Sequence, residues 1–334
     1  MRNHLIALLT LLLFTQCAHQ KAGRSSRVRP EGFVADIMLP VTPVKNQGMS
    51  ELCWVYAALA ALETERLCHG DSVNLSPLWL ERASLEEQAL RAATTGEEVV
   101  LRGTLPEAMR LFHRHGIVPY DSYRPLNTFG RPAESHEKRT SIISKKVWHL
   151  ATTKSRHRAP LTQISEQVSS LLDDELGCPP HRVFMLGAEY TPLEFAHSIA
   201  LPSDWKALTS FTHHPYGKTF DLEVPDNRRH HEVMNIQPDS LLNLTIRSLL
   251  QRHPVMWEGA MNWNLKGDRQ TLFERHLLTD DHCMCIVGLG HDKDNNKYFI
   301  LKNSHGANTG DHGMRYMPVS QFLNTTIMIM ATGL

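Results

Sequence analysis

The stretch Leu52–Cys68, LCWVYAALAALETERLC, constrains the fold more than any other part of the chain. Ala, Leu and Glu dominate it, and its apolar residues recur every three to four positions. It therefore reads as a largely buried helix, with Cys53 in its first turn. A buried helix needs protein on every side. At 334 residues the chain can supply that as one elaborate domain or two modest ones. Lys+Arg and Asp+Glu are equal at 35 each, which leaves no basic footprint and argues against a nucleic-acid partner.

The first residues, MRNHLIALLTLLLFTQCAHQK, carry a positive Arg2 followed by an apolar run from Leu5 to Phe14. That run is too short to span a bilayer and suits the apolar region of a signal peptide. Cys17 follows closely, so 1–17 resembles a bacterial lipoprotein signal, with lipid expected on Cys17. The expectation is an exported protein of the bacterial cell envelope, touching membrane only through that anchor. Residues 18–32 are polar and basic with Pro and Gly, and read as a tether. Six cysteines occur. Apart from Cys17 and Cys53, they read as mostly free, buried thiols. Cys283 and Cys285 stand two apart on one strand face, which is poor geometry for a mutual bridge.

Helix signals fill the first half of the mature chain. Ser76 and Pro77 open a helix running to about 93, and Thr104 opens another that Gly116 stops. Residues 126–160 are basic and read as irregular surface loop. Residues 161–176 and 239–253 read as helices, the latter capped by Asp239. The C-terminal region changes to short strand-like runs, HCMCIVGLG, KYFILKNS, GMRYMP and TTIMIMATG, separated by Gly, Asn and Asp. The expectation is an α+β fold with a helical lobe and an antiparallel β lobe.

A cysteine at a helix N-terminus is where a thiolate is stabilised by the orphan N–H groups and the helix dipole. To act as a nucleophile it needs an imidazole, a group that orients the imidazole, and oxyanion donors. Gln47 precedes Cys53 in a loop able to fold back over the helix start. His282 opens one apolar strand, and Asn303 ends the next strand of the same hairpin. Taken alone, Cys53 is a buried helix thiol; in this company it reads as a nucleophile. A zinc site at His282, Cys283 and Cys285 is disfavoured, because strand alternation does not turn all three to one face. The pairs His213-His214 and His230-His231 read as solvated loop residues, Cys68 and Cys178 as core thiols, and Trp54 as packing that anchors the helix.

These residues carry a resemblance. VTPVKNQGMSELCWVYAALAALE resembles the active-site region of papain-like cysteine peptidases, and DHCMCIVGLG with KYFILKNSHG resembles that family's His strand and Asn segment. The resemblance implies Cys53 as nucleophile, His282 as base, Asn303 as its orienter and Gln47 as oxyanion donor, with no cofactor and no metal. His282 and Asn303 follow Cys53 at well beyond the ~130–150 residues usual for papain. GTLPEAMRLFHRHGIVPYDSY, CPPHRVFMLGAEYTPLEFA and DSLLNLTIRSLLQRHPVMWEGAMNW resemble segments of the bleomycin hydrolase/aminopeptidase C branch. The implied organisation is a peptidase domain over 33–334, with an insertion around 126–235 and the active site in the cleft between lobes.

The chain departs from the family at several points. Ser50 stands where many secreted members have a disulfide cysteine. Glu51 and Leu52 replace small residues along the substrate path. His305 replaces the tryptophan that shields the Asn–His hydrogen bond. The cleft-filling C-terminal arm of the branch is expected to be shortened, and no propeptide of the usual length fits. The expected activity is peptide-bond hydrolysis through a Cys53 acyl-enzyme, perhaps of aminopeptidase type, on a peptide or protein substrate. The alternatives are a catalytically weak or inactive relative that binds peptides or proteins at the envelope, and an amidase or transpeptidase.

Overall fold

The computed structural model describes residues 29–124, 136–185, 187–263 and 280–333. The signal-like segment, Cys17 and the tether up to residue 28 lie outside the described residues. β1 (Val34–Met38) leads into the loop that carries Gln47, and α1 (Cys53–Cys68) follows. α1 is buried almost all round, from Trp54 and Val55 through Ala57–Thr64. Around it pack α2 (Pro77–Thr95) and α3 (Leu105–His115). α2 starts as its sequence signals demand: Ser76 Oγ accepts from Trp79 N at 3.3 Å, Pro77 takes the first helical position, and Gly96 ends the helix in the left-handed region.

The expected loop over 126–160 is corrected where it is described. α4 (His136–Arg156) and α5 (Leu161–Leu176) form an antiparallel pair against α2. Ile143, Val147 and Ala151, four residues apart, are buried and give α4 its apolar stripe. Lys145, Lys146 and His149 lie between these positions and hide the period in the sequence. Next come the hairpin β2 (Val183–Met185) and β3 (Ala188–Tyr190), then α6 (Pro192–Ile199), which packs on α3.

The remaining elements build the β lobe: β4 (Lys206–Thr209), β5 (Thr219–Asp221), β6 (Glu232–Asn235), α7 (Pro238–Leu250), β7 (Val255–Gly259), β8 (His282–His291), β9 (Lys297–Lys302), β10 (Met314–Pro318), α8 (Val319–Thr325) and β11 (Thr326–Ala331). α7 begins one residue before the expected Asp239 cap. Pro238 occupies the first helical position, where its fixed φ costs nothing, and Asp239 falls inside the first turn. The sheet order is β10-β9-β8-β7-β11-β4-β6-β5. The sheet is mixed rather than wholly antiparallel: two chain reversals between β4 and β6 leave that pair parallel. β8 is the long central strand. Its first half pairs with β7 and its second half with β1, while β9 runs along its other edge.

α1 lies across β8, so the helix start meets the strand start. A buried charge cluster fixes that crossing. Glu63 of α1 takes hydrogen bonds from the Thr42 hydroxyl, from Lys45 Nζ at 2.5 Å and from Leu75 N at 2.7 Å. Lys302 Nζ, at the end of β9, lies 3.8 Å from the same carboxylate and donates to Thr42 Oγ1 at 2.7 Å. Glu63 is fully buried and its oxygens are satisfied, the condition under which a buried charge is tolerated. The residue after Lys302 is Asn303, so this cluster also sets the position of the candidate site.

Candidate active site

Cys53 is the first residue of α1, with Leu52 at the N-cap and no acidic residue in the first turn. The N–H groups of that turn have no intrahelical acceptor and face outward with the positive end of the dipole. Trp54 holds the turn in place, as expected. Its Nε1 donates to Leu101 O at 2.8 Å, and the buried ring lies on Gly103. A Cβ at Gly103 would come within 2.9 Å of the indole, which explains the glycine there.

The β8–β9 hairpin delivers the imidazole and its orienter. His282 Nε2–H donates to Asn303 Oδ1 at 2.8 Å, which leaves Nδ1 for Cys53. Both residues are under one-tenth exposed. His305 partly fills the shielding position that a tryptophan holds in the family. Its ring sits 5.3 Å from that of His282, and its Nδ1 lies 3.2 Å from the same Asn303 oxygen. Burial and the neighbouring His282 charge push the His305 pKa down, which favours a neutral ring.

The loop before α1 is sewn onto the Asn303 segment. Gln47 N donates to Ser304 O at 2.7 Å, and Gly306 N donates to Lys45 O at 3.0 Å. The buried Gln47 amide is oriented from both ends. Ser304 Oγ donates to its Oε1 at 2.5 Å, and one hydrogen of Nε2 goes to Ser50 O at 2.6 Å. The second Nε2 hydrogen is left available to another acceptor. Ser50 also donates from its hydroxyl to Gln47 O at 2.8 Å, so the residue in the place of the missing disulfide cysteine closes the loop instead.

The electrostatics separate the groups. The Cys283 thiol donates a hydrogen bond to Cys53, and with help from the His282 hydrogen bond and charge it holds the Cys53 thiol well below its ordinary pKa, against burial. Burial alone would lower the His282 pKa, but the hydrogen bond and charge of Cys53, with Asn303, raise it. The favoured state is a thiolate–imidazolium pair. Cys283 is the residue that strand alternation missed. His282 and both the backbone and side chain of Cys283 reach Cys53, although the two side chains alternate along the strand. Behind Cys283, across the β7–β8 register, stands Glu258, fully buried and bonded by Leu105 N at 2.9 Å. Burial and then the Asp280 charge push its pKa well up, which favours the neutral acid. Asp280 itself is pushed up to about 7 by burial and then by Asp226. Arg102 spans the lobes here, donating to Asp226 Oδ2 at 2.7 Å and to Asp280 O at 2.5 Å.

Leu52 is buried and Glu51 is exposed. Glu51 borders an open pocket of about 480 Å³, walled by Val99–Leu101 and by Ser144, Lys145, Trp148 and His149 of α4. The helix hidden in the expected loop thus borders the pocket beside Glu51, two residues before Cys53 in the chain. The other cysteines are correct as free thiols but not as core ones throughout. Cys285 is buried, Cys68 is half-buried and Cys178 is exposed.

No family model matches the chain. It is 23% identical over 363 residues to "Cysteine proteinase 1, mitochondrial" of Saccharomyces cerevisiae (strain JAY291), spanning 84% of this chain and 72% of that protein. The same protein from strain S288c aligns at the same 23%. Among solved structures, PepW from Lactobacillus rhamnosis superposes with a TM-score of 0.70 at 16% identity, over 90% of this chain and 82% of that one. The chain thus has the papain-like fold and is similar to cysteine peptidases of the bleomycin hydrolase-like branch.

Proposed function

We propose that this chain is a cysteine-type peptidase that cleaves peptide bonds through a thioester on Cys53. The observation that carries the reading is the convergence of a helix-start thiol of lowered pKa, an imidazole of raised pKa and a buried Asn303 orienting that imidazole. The Cys53 thiolate attacks the carbonyl carbon. The oxyanion is held by the Cys53 backbone N–H and the remaining Gln47 Nε2 hydrogen. His282, protonated, gives its proton to the leaving amine, then takes one from the water that releases the acyl group. Asn303 fixes the ring throughout. Preference for free N-termini, as in an aminopeptidase, belongs to the same reading.

Profiling the purified protein on peptides with free and blocked N-termini tests it. Turnover that disappears in Cys53→Ala supports the peptidase, and faster cleavage of the free series supports the aminopeptidase form. Tight peptide binding without turnover would instead support a binding relative. The buried His282–Asn303 pair weighs against that second reading, because His305 leaves the pair covered.

Export with lipidation of Cys17 is part of the proposal and rests on Arg2, the apolar run Leu5–Phe14 and Cys17. Among the described residues no helix is long and apolar enough to cross a membrane. Incorporation of labelled palmitate that is lost in Cys17→Ser checks it; equal labelling of both proteins, or none, refutes it.

A further inference from the structure

We propose that His213, His214 and Glu223 form a binding site for a divalent transition-metal ion of zinc type. The site lies at the far end of the sheet from Cys53, where β5 is the edge strand and β8 stands five places away. His213 Nε2 lies 2.7 Å from Glu223 Oε2, and His214 Nε2 lies 3.1 Å from Glu223 Oε1. One ligand atom from each residue falls within 4.8 Å of the other two. Tetrahedral zinc, with bonds of about 2.0–2.2 Å to nitrogen and oxygen, needs its donors only about an ångström closer together than that limit. Two imidazoles and a carboxylate are a donor set that zinc accepts, with the fourth position left to water.

The surroundings are built to hold these side chains. Asn235 is fully buried and grips the histidine turn by its backbone: its Nδ2 donates to Phe211 O and to His214 O, each at 2.8 Å, and its Oδ1 accepts from Phe211 N at 2.7 Å. The His214 ring stacks on Phe220 at 3.8 Å between centroids and 15° between planes. The His213 ring meets buried Phe211 edge-on at 5.3 Å. On the opposite side, buried Asn227 ties the turn that carries Glu223 to Leu222 O at 2.9 Å and to His231 O at 3.0 Å. Both halves of the site are therefore positioned by buried amides, and both rings by aromatic neighbours. These contacts fix the backbone and the ring planes from which the ligand atoms project.

The geometry of one of these nitrogens points to a ligand. His214 Nε2 is hidden from solvent and lies 3.1 Å from Glu223 Oε1, but off the line of a well-formed hydrogen bond. A buried ring nitrogen in that condition is costly unless a cation or proton meets it. Occupancy would clip the β4–β5 connection to the β5–β6 connection and leave the chemistry at Cys53 untouched.

Zinc chloride is the probe. Cys53 is first blocked by alkylation, so that the Cys53–His282 pair cannot bind the ion, and the full chain is then stripped with a chelator. Titration by calorimetry, and in competition with a chromophoric chelator, should show one zinc per chain. Glu223→Gln and His213→Gln, both at exposed positions, should each weaken binding at least tenfold. Zinc should raise the melting temperature of the parent and not of the variants, whose melting in chelator should match the parent's. Absence of saturable binding, or binding at parental affinity in both variants, would overturn the proposal.

Discussion

The start of α1 and the start of β8 each bring a cysteine to one point, and the two thiols end at opposite extremes of acidity. Cys53 stands at a helix N-terminus beside an imidazole of raised pKa, and its thiol is held well below the ordinary range, chiefly by the hydrogen bond from Cys283. Cys283 lies within the sheet with Glu258 behind it; burial, and then its bond to Cys53, push its thiol well above that range. The residue type is the same and the two are in contact, so the difference belongs to their surroundings. One thiol is made acidic partly by the other's remaining a donor.

The most drastic way to break the comparison is to remove the acidic member. Cys53→Ala should reduce kcat/KM by about 10⁴-fold or more, whereas Cys283→Ala should leave most activity. Equal losses would mean that the two cysteines share the chemistry. Gln47→Ala should cost about 10²-fold in kcat, from one oxyanion donor, with little change in the thiol's ionisation; a change confined to KM would place Gln47 elsewhere in the reaction.

The pH profile sharpens the comparison. The favoured pair exists once Cys53 has lost its proton and before His282 loses its own. With the first pKa lowered and the second raised, kcat/KM should follow a bell with a broad plateau. Cys283→Ala removes a donor to the thiolate, so the acid limb should move upward by about one pH unit. A limb that stays put would remove Cys283 from the account. The smallest effect is expected of Glu258→Gln. A carboxyl that is already neutral resembles the amide, so the acid limb should not move; a downward shift would show that Glu258 carries charge beside the site.

How much of this was legible in the sequence differs from residue to residue. Cys53, Gln47, His282 and Asn303 could be picked out because each sits at a recognisable place: a helix start, the loop before it, and the two strands of a hairpin. The structure brings the four together. The role of Cys283 was not legible, because alternation describes the faces of a strand and says nothing of a partner that both His282 and Cys283 reach. α4 was hidden by lysines between Ile143, Val147 and Ala151. The Asp280, Asp226 and Arg102 cluster joins three segments far apart in the chain, and no local pattern announces it. The same holds for Glu223 facing His213 and His214, since adjacent histidines read as solvated until the fold places a carboxylate opposite them.

The most direct test of the central claim is the rate of thiol alkylation as a function of pH, with each cysteine followed by peptide mapping. Cys53 should react fastest and already at pH values well below the ordinary thiol range, with Cys283 unlabelled in the folded protein. Labelling that begins at Cys178 or Cys68, with Cys53 reacting only at alkaline pH, would contradict it.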